Sequence, residues 1–206
     1  MNIITISREF GSGGREFGKK LSEYLGYAYY DREIIKAIAN EKGVCESYIE
    51  NLTENGSLKN FILPRFRTFS IPNFKATQTK IDILTTQEKI LKKIADEKHA
   101  VIVGRCADVI LEKYNPFNIF IYSDMEFKIK RCKIYAPENE NLSDEELEKK
   151  IKQVNKNRKE YYKTYSDKVW GAKENYHLCI NTSMVDMEKV IPLIAAYVEV
   201  YFRRKI

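Results

Sequence analysis

Apolar positions along this chain fall into two alternating patterns, short β-branched runs and stripes with the 3.6-residue period of a helix. Ile3-Ile4-Thr5-Ile6 is the first run. After the turn Gly11-Ser12-Gly13-Gly14, Phe17, Leu21, Tyr24 and Leu25 recur at i, i+4, i+7 and i+8, which predicts a helix from Gly14 to Leu25 that Gly26 ends. A short strand is expected at Tyr27 to Tyr30. A helix with Asp31 at its N-cap and Ile34, Ile35, Ile38 and Ala39 on its apolar face follows, up to Lys42-Gly43, and a third helix covers Glu46 to Leu52. From Thr53 to Lys80 no period is visible, and Pro64 and Pro72 stand among Arg65, Phe66, Arg67, Phe69 and Phe74. A loop of that length inside a domain is a functional cover or a partner surface.

Order returns near Ile81, where Ile83, Leu84, Gln87, Ile90, Leu91 and Ile94 form a stripe along a helix ending near Lys98. Ala100-Val101-Ile102-Val103, closed by Gly104-Arg105, suits a buried parallel strand, with Asp108 to Tyr114 as its returning helix. Phe117 to Tyr122 and Glu126 to Tyr135 repeat that unit. Ser143 and Glu146 have capping-box spacing ahead of a polar helix whose stripe, Leu147, Ile151 and Val154, is narrow, so a projecting flap with little burial is expected. His177 to Ile180 gives the last strand; Met187, Val190, Ile191, Ile194, Ala195 and Val198 give the last helix. Strands alternating with helices imply an α/β fold with a parallel sheet, whose ligands bind outside the carboxyl ends of the strands. The glycine turn and Gly104-Arg105 both fall at such ends.

A chain of 206 residues with 44% hydrophobic content is ample for one sizeable core. No run approaches the length needed to cross a bilayer, and the first residues lack a basic leader and a long apolar region, so a cytoplasmic protein is expected. Cys45, Cys106, Cys132 and Cys179 are scattered without paired spacing, which argues against a zinc site or a disulfide framework and for buried thiols. The net charge of +6 suits small polyphosphates as well as nucleic acid. No nucleic-acid module accompanies it, and the Lys- and Tyr-rich stretch Lys156 to Lys168 reads first as a solvated helical face.

The glycine turn carries the most chemistry. Gly11, Gly13 and Gly14 let the backbone curl until several N–H groups face one concavity, and the helix that follows adds positive potential to the same spot. Gly11, Ser12, Gly13, Gly14, Arg15 and Glu16 are therefore the candidate phosphate-binding set. Ser12 is a candidate ligand of phosphate or of a magnesium-bound water. Glu16 has two readings, a water-mediated Mg²⁺ contact or a carboxylate that favours the helix dipole in the first turn.

Four blocks taken together extend this reading: Ile6 to Glu16, Tyr29-Tyr30-Asp31-Arg32-Glu33-Ile34-Ile35, Val103-Gly104-Arg105, and Trp170-Gly171 with Asn175 to Thr182. In that order they resemble the cytidylate kinase-like family of P-loop nucleoside monophosphate kinases, over nearly the whole chain. The resemblance implies a three-layer P-loop kinase fold: a core at 1–43, 81–137 and 169–206, an acceptor-binding insertion at 44–80 and a helical lid at 138–168. It also implies ATP as phosphoryl donor with Mg²⁺ as cofactor, a nucleoside monophosphate such as CMP or dCMP or another small acceptor as partner, and no dedicated cluster of metal ligands. The sequence departs from the Walker A pattern G-x-x-x-x-G-K-[ST]. Without a gap, Arg8 stands at the first Gly and Gly14 at the Lys; shifted by one residue, Arg15 takes the Lys position and Glu16 the hydroxyl position.

What the resemblance implies for single residues follows from those positions. Arg15, Arg131 on the helix before the lid and Arg158 in the lid are the candidate catalytic cations, with Lys156, Lys159 and Lys163 beside Arg158. Asp31, Arg32, Arg105 and Asp108 are the candidate acceptor-binding residues, where Asp31 is alternatively a plain N-cap and Asp108 alternatively supports a turn. Cys106 stands where the family's Gly-Arg-Asp motif has Asp. Arg8 reads equally as a phosphate contact and as a surface ion pair. Tyr161, Tyr162 and Tyr165 read as packing residues. A non-catalytic nucleotide-binding protein is the alternative, and Phe61 to Phe74 is a candidate homodimer surface.

Overall fold

The strand β1 (Ile3–Arg8) is buried at all six positions because it lies in the middle of a sheet covered on both faces. The computed structural model describes residues 1–53, 74–137 and 141–203. Its sheet has the order β2 (Ala28–Tyr30), β3 (Ala100–Val103), β1, β4 (Phe117–Tyr122), β5 (Leu178–Asn181), and every pairing is parallel. Ile6 pairs with Val103 on one side and with Ile119 on the other, which brings the carboxyl ends of β1, β3 and β4 side by side. Such a sheet must bury both faces, and the side-chain alternation along β1 shows how. Ile4 and Ile6 join Phe17 and Leu21 of α1 (Gly14–Leu25) and Ile191, Ala195 and Val198 of α8 (Met187–Arg203). Ile3 faces the opposite layer, made by α2 (Arg32–Lys42), α3 (Glu46–Thr53), α4 (Phe74–Glu97) and α5 (Ala107–Ile110). This is the parallel α/β sheet that the alternating pattern predicted, in the three-layer form that the resemblance implied.

Three expectations change. The helix α4 begins at Phe74, seven residues ahead of the point where the apolar stripe becomes visible, so the aperiodic stretch is shorter than its sequence suggested. Residues 54–73, which hold Pro64, Pro72 and most of the candidate dimer surface Phe61 to Phe74, lie outside the described residues, and so do 138–140. The helix α7 (Asp144–Tyr162) is no projecting flap: Leu147, Ile151, Asn157, Tyr161 and Tyr162 are buried. Its second half packs on Cys106 of the core with Tyr165, Trp170, Leu84, Val109 and Ile110 around it. Burial there is carried by phenol rings whose hydroxyls find partners, Tyr161 donating to Gln87 Oε1 at 2.9 Å and Tyr162 to Asp108 Oδ2 at 2.8 Å. The cysteines divide: Cys106 is buried, Cys132 and Cys179 half-buried and Cys45 exposed, so the expectation of buried thiols holds for one of four. Among the described residues no helix is long and apolar enough to cross a membrane.

Gly18 measures how tightly α1 lies on the sheet. A Cβ there would stand 2.9 Å from Val103 Cγ2 and 3.0 Å from Ile6 Cδ1. Helix propensity alone favours Ala over Gly by about 1 kcal/mol, whereas overpacking a close-packed core costs about 1–3 kcal/mol. Val103 is β-branched and fully buried, so it cannot yield cheaply. Gly18→Ala is therefore expected to lower the thermal unfolding midpoint; a raised midpoint would show that the helix sits on the sheet less closely than described.

Candidate active site

The chain leaves β1 at Arg8 and enters α1 at Gly14, and the five residues between them are fixed from three sides. Glu9 N donates to Ile121 O at 2.9 Å. The Ser12 hydroxyl donates to Glu9 O at 2.9 Å and approaches Ile121 O at 3.2 Å, while Thr182 Oγ1 donates to Ser12 O at 2.7 Å. These bonds turn the loop's carbonyls toward the sheet. Gly13, with φ 80°, is the N-cap of α1, and the helix starts at Gly14. Gly13 is thus the last glycine of the loop, and Gly14 opens the helix.

Above the loop lies a cleft of about 940 Å³, within the range that holds small-molecule ligands. Among the described residues, eight Lys or Arg side chains line it against three Glu, an excess of positive charge suited to polyphosphate. The cations are held by local acids. Arg15 Nε lies 2.8 Å from Asp31 Oδ2 and Arg131 Nη2 2.9 Å from Glu16 Oε2, while the lining residue Glu9 meets Lys128, buried outside the lining, with Nζ 2.5 Å from its Oε2. From above, Arg158 donates to Arg8 O at 2.9 Å and lies over the Phe10 ring at 5.8 Å, and Asn155 Oδ1 accepts from Phe10 N at 2.8 Å. The helix α7 is thus fastened to the glycine loop. At the cleft's other rim, burial first and the Asp31 carboxylate second push the Tyr29 phenol up to about 12.

Of the residues singled out in the sequence, Gly11, Gly13, Gly14, Arg15, Glu16, Arg32, Arg131 and Arg158 line this cleft together. Ser12, Asp31, Arg105 and Asp108 do not. Ser12 is fully buried with its hydroxyl spent on loop carbonyls. Asp31 occupies the N-cap position of α2 but makes no side-chain cap bond; instead it pairs with Arg15 and, at 3.5 Å, with Arg8. Arg105 is buried in a strained turn in which Gly104, Arg105 and Cys106 all have positive φ, and its carbonyl accepts from Gln87. Asp108 lies beneath Tyr162. Lys156, Lys159 and Lys163 are exposed and line none of the cleft. The sequence reading missed the Lys128–Glu9 pair and Asn155, for which no motif gives a signal, and it left Arg8 undecided although the ungapped register already put an arginine on a glycine position.

A model of the cytidylate kinase-like family matches residues 3–184. This chain belongs to that family. Among curated proteins, the cytidylate kinase of Saccharolobus islandicus (strain L.S.2.15 / Lassen #1) is 24% identical over 200 residues, which cover 95% of this chain and 89% of the relative. Among solved structures, an uncharacterized protein from Eubacterium ventriosum superposes with a TM-score of 0.67 at 27% identity, covering 97% of this chain and 99% of the other. The shikimate kinase from Bacteroides thetaiotaomicron, at 15% identity and a TM-score of 0.59 over 96% and 98% of the two chains, shares the fold. The protein is a kinase-like phosphotransferase of the P-loop class, acting on a nucleotide or another small molecule.

Burial lifts the Asp108 carboxyl above its ordinary range, partly offset by the bond from Tyr162. Its folded-state pKa exceeds the unfolded one, so its charge opposes folding above that pKa and ceases to do so as pH falls toward the ordinary aspartate value of about 3.9. Asp108→Asn is expected to be more stable than the parent at neutral pH in urea unfolding, with the difference shrinking on acidification. A difference that grows on acidification would contradict this.

Proposed function

We propose that this chain transfers the γ-phosphoryl group of ATP to a nucleoside monophosphate, CMP or dCMP. The observation that carries the reading is the single cleft in which the glycine loop, Arg32 beside the end of β2 and the lid residue Arg158 all take part. The loop and the N-terminus of α1 bind the donor phosphates. Arg32, exposed at the start of α2, orients the acceptor, and Asp31 supports it from below by holding Arg15. An acceptor phosphate oxygen then attacks the γ-phosphorus as the bond to the β,γ-bridging oxygen breaks, and ADP leaves with that electron pair. Little covalent chemistry is asked of the protein; Arg15, Arg131 and Arg158 stabilise the charge in flight while α7 excludes water. The Walker A Lys and hydroxyl are altered in the ungapped register, so those three arginines carry more of the task than a lysine-bearing loop would require.

Kinases of this class use Mg²⁺ bound to the donor phosphates, and the residues present fit that form of binding. Among the described residues no group of three or more acids, His or Cys stands ready to cage a metal. Mg²⁺ needs only one or two carboxylates besides phosphate oxygens and water, and Glu16 and Glu9 both line the cleft. The ion would neutralise charge on the phosphates.

ADP formation from Mg-ATP, measured against a panel of ribo- and deoxynucleoside monophosphates, tests the reading. Turnover selective for CMP or dCMP is expected, with Arg158→Ala and Arg131→Ala each lowering kcat by about 10²-fold or more. Binding of ATP without turnover of any monophosphate would move the reading to another acceptor or to a non-catalytic nucleotide-binding protein.

A further inference from the structure

Two positions that are ordinarily Gly and Lys in a Walker A loop are Arg8 and Gly14 here, and the structure shows that these two departures are one. A Cβ placed on Gly14 would lie 2.5 Å from Arg8 Cβ and 2.9 Å from Arg8 Cγ. No pair of side chains fits at both positions, because the Cβ atoms themselves collide. A loop with Lys at its seventh position therefore needs Gly at its first, and a loop with Arg at its first needs Gly at its seventh. We infer that Arg8 supplies, from the strand side of the loop, the phosphate-binding cation that other loops of this kind supply from the helix side. This rests on the kinase reading proposed above.

Three further observations support it. Arg8 lines the cleft although it is 7% exposed, so its charge is held at the floor of the site in surroundings where it acts more strongly than at a surface. Its guanidinium passes over the end of β3, where a Cβ on Gly104 would collide with it, so the glycine of Val103-Gly104-Arg105 is the second concession to the same side chain. Its carboxylate partner, Asp31, also pairs with Arg15, so Arg8 belongs to a group of charges set between the glycine loop and the end of β2. A buried charge pair is seldom kept for stability, since apolar residues of similar volume do as well. One placed on the cleft floor beside a phosphate-binding loop is suited to meeting an anion there.

The test is a reciprocal exchange read by calorimetric binding of Mg-ATP and of inorganic tripolyphosphate, with thermal unfolding alongside. Arg8→Gly is expected to fold and to bind both probes about 10- to 100-fold more weakly, the weight of hydrogen bonds to a charged group. Gly14→Lys alone is expected to lose both stability and binding. Arg8→Gly with Gly14→Lys should restore binding to within about threefold of the parent, whereas Arg8→Ala with Gly14→Lys should not, because the alanine Cβ still meets the lysine Cβ. Equal rescue by the glycine and alanine doubles, rescue by neither, or an Arg8→Gly variant that binds like the parent would overturn the inference and leave the kinase reading standing. The expected binding pattern in a protein that turns over no monophosphate would uphold the inference and count against the proposed acceptor. A parent that binds neither probe would overturn both.

Discussion

Asp31 between two arginines is the interaction on which the site depends. It sits at the end of β2, reaches Arg8 at the end of β1 and Arg15 in the first turn of α1, and so ties together the two strand ends and the helix that frame the glycine loop. Arg8 and Asp31 are both nearly buried, so their charges act on each other more strongly than a pair at the surface would. Arg15 is half exposed, so its share of the interaction is screened and worth much less. The firm part of the triad is the floor of the cleft. The looser part is the arm that can turn toward a ligand.

The remaining polar contacts repeat this plan at other points of the loop. Glu9 with Lys128 and Glu16 with Arg131 fasten the loop and α1 to α6 (Met125–Ile134), and Asn155 with Arg158 fasten α7 across the top. Glu9 and Glu16 each hold a cation in place, and on the proposed reading an entering polyphosphate competes with these carboxylates or reaches them through a metal ion. On that reading, phosphate binding is an exchange of partners rather than the filling of a bare positive hole. Such exchange costs less reorganisation than ordering long side chains from solvent, because their rotamers are already restricted.

The strands, the helices between them and the parallel α/β class were legible because each element rests on a hydrophobic period, as in Ile3 to Ile6, Ala100 to Val103 and the stripe of α8. The burial of α7 was not, because it is achieved by Asn157, Tyr161 and Tyr162, whose polarity conceals a buried face until their partners Gln87 and Asp108 are known. Asp31 has the residue type and position of an N-cap, and only tertiary structure could show that two arginines claim its carboxylate instead. Ser12 has the composition of a phosphate ligand but is turned inward by carbonyls of β4 and of its own loop. The family block Trp170-Gly171 with Asn175-Tyr176 proves to be packing: Phe120 of β4 meets Trp170 at 5.3 Å and Tyr176 at 5.0 Å between ring centroids. Motif and period thus located the cleft, while the pairing of charges within it depended on contacts between residues far apart in the chain.

The central claim is that the glycine loop, the Arg8–Asp31–Arg15 triad and the lid arginine converge on a phosphoryl group in transfer. A crystal structure with ADP, Mg²⁺, CMP and aluminium fluoride tests it most directly. The account predicts planar fluoride above the loop, within hydrogen-bond reach of Arg8 and Arg158, with Arg15 or Arg131 drawn from its carboxylate toward the same group. A fluoride group held by other residues, with Arg8 still turned only to Asp31 and the end of β3, would contradict it.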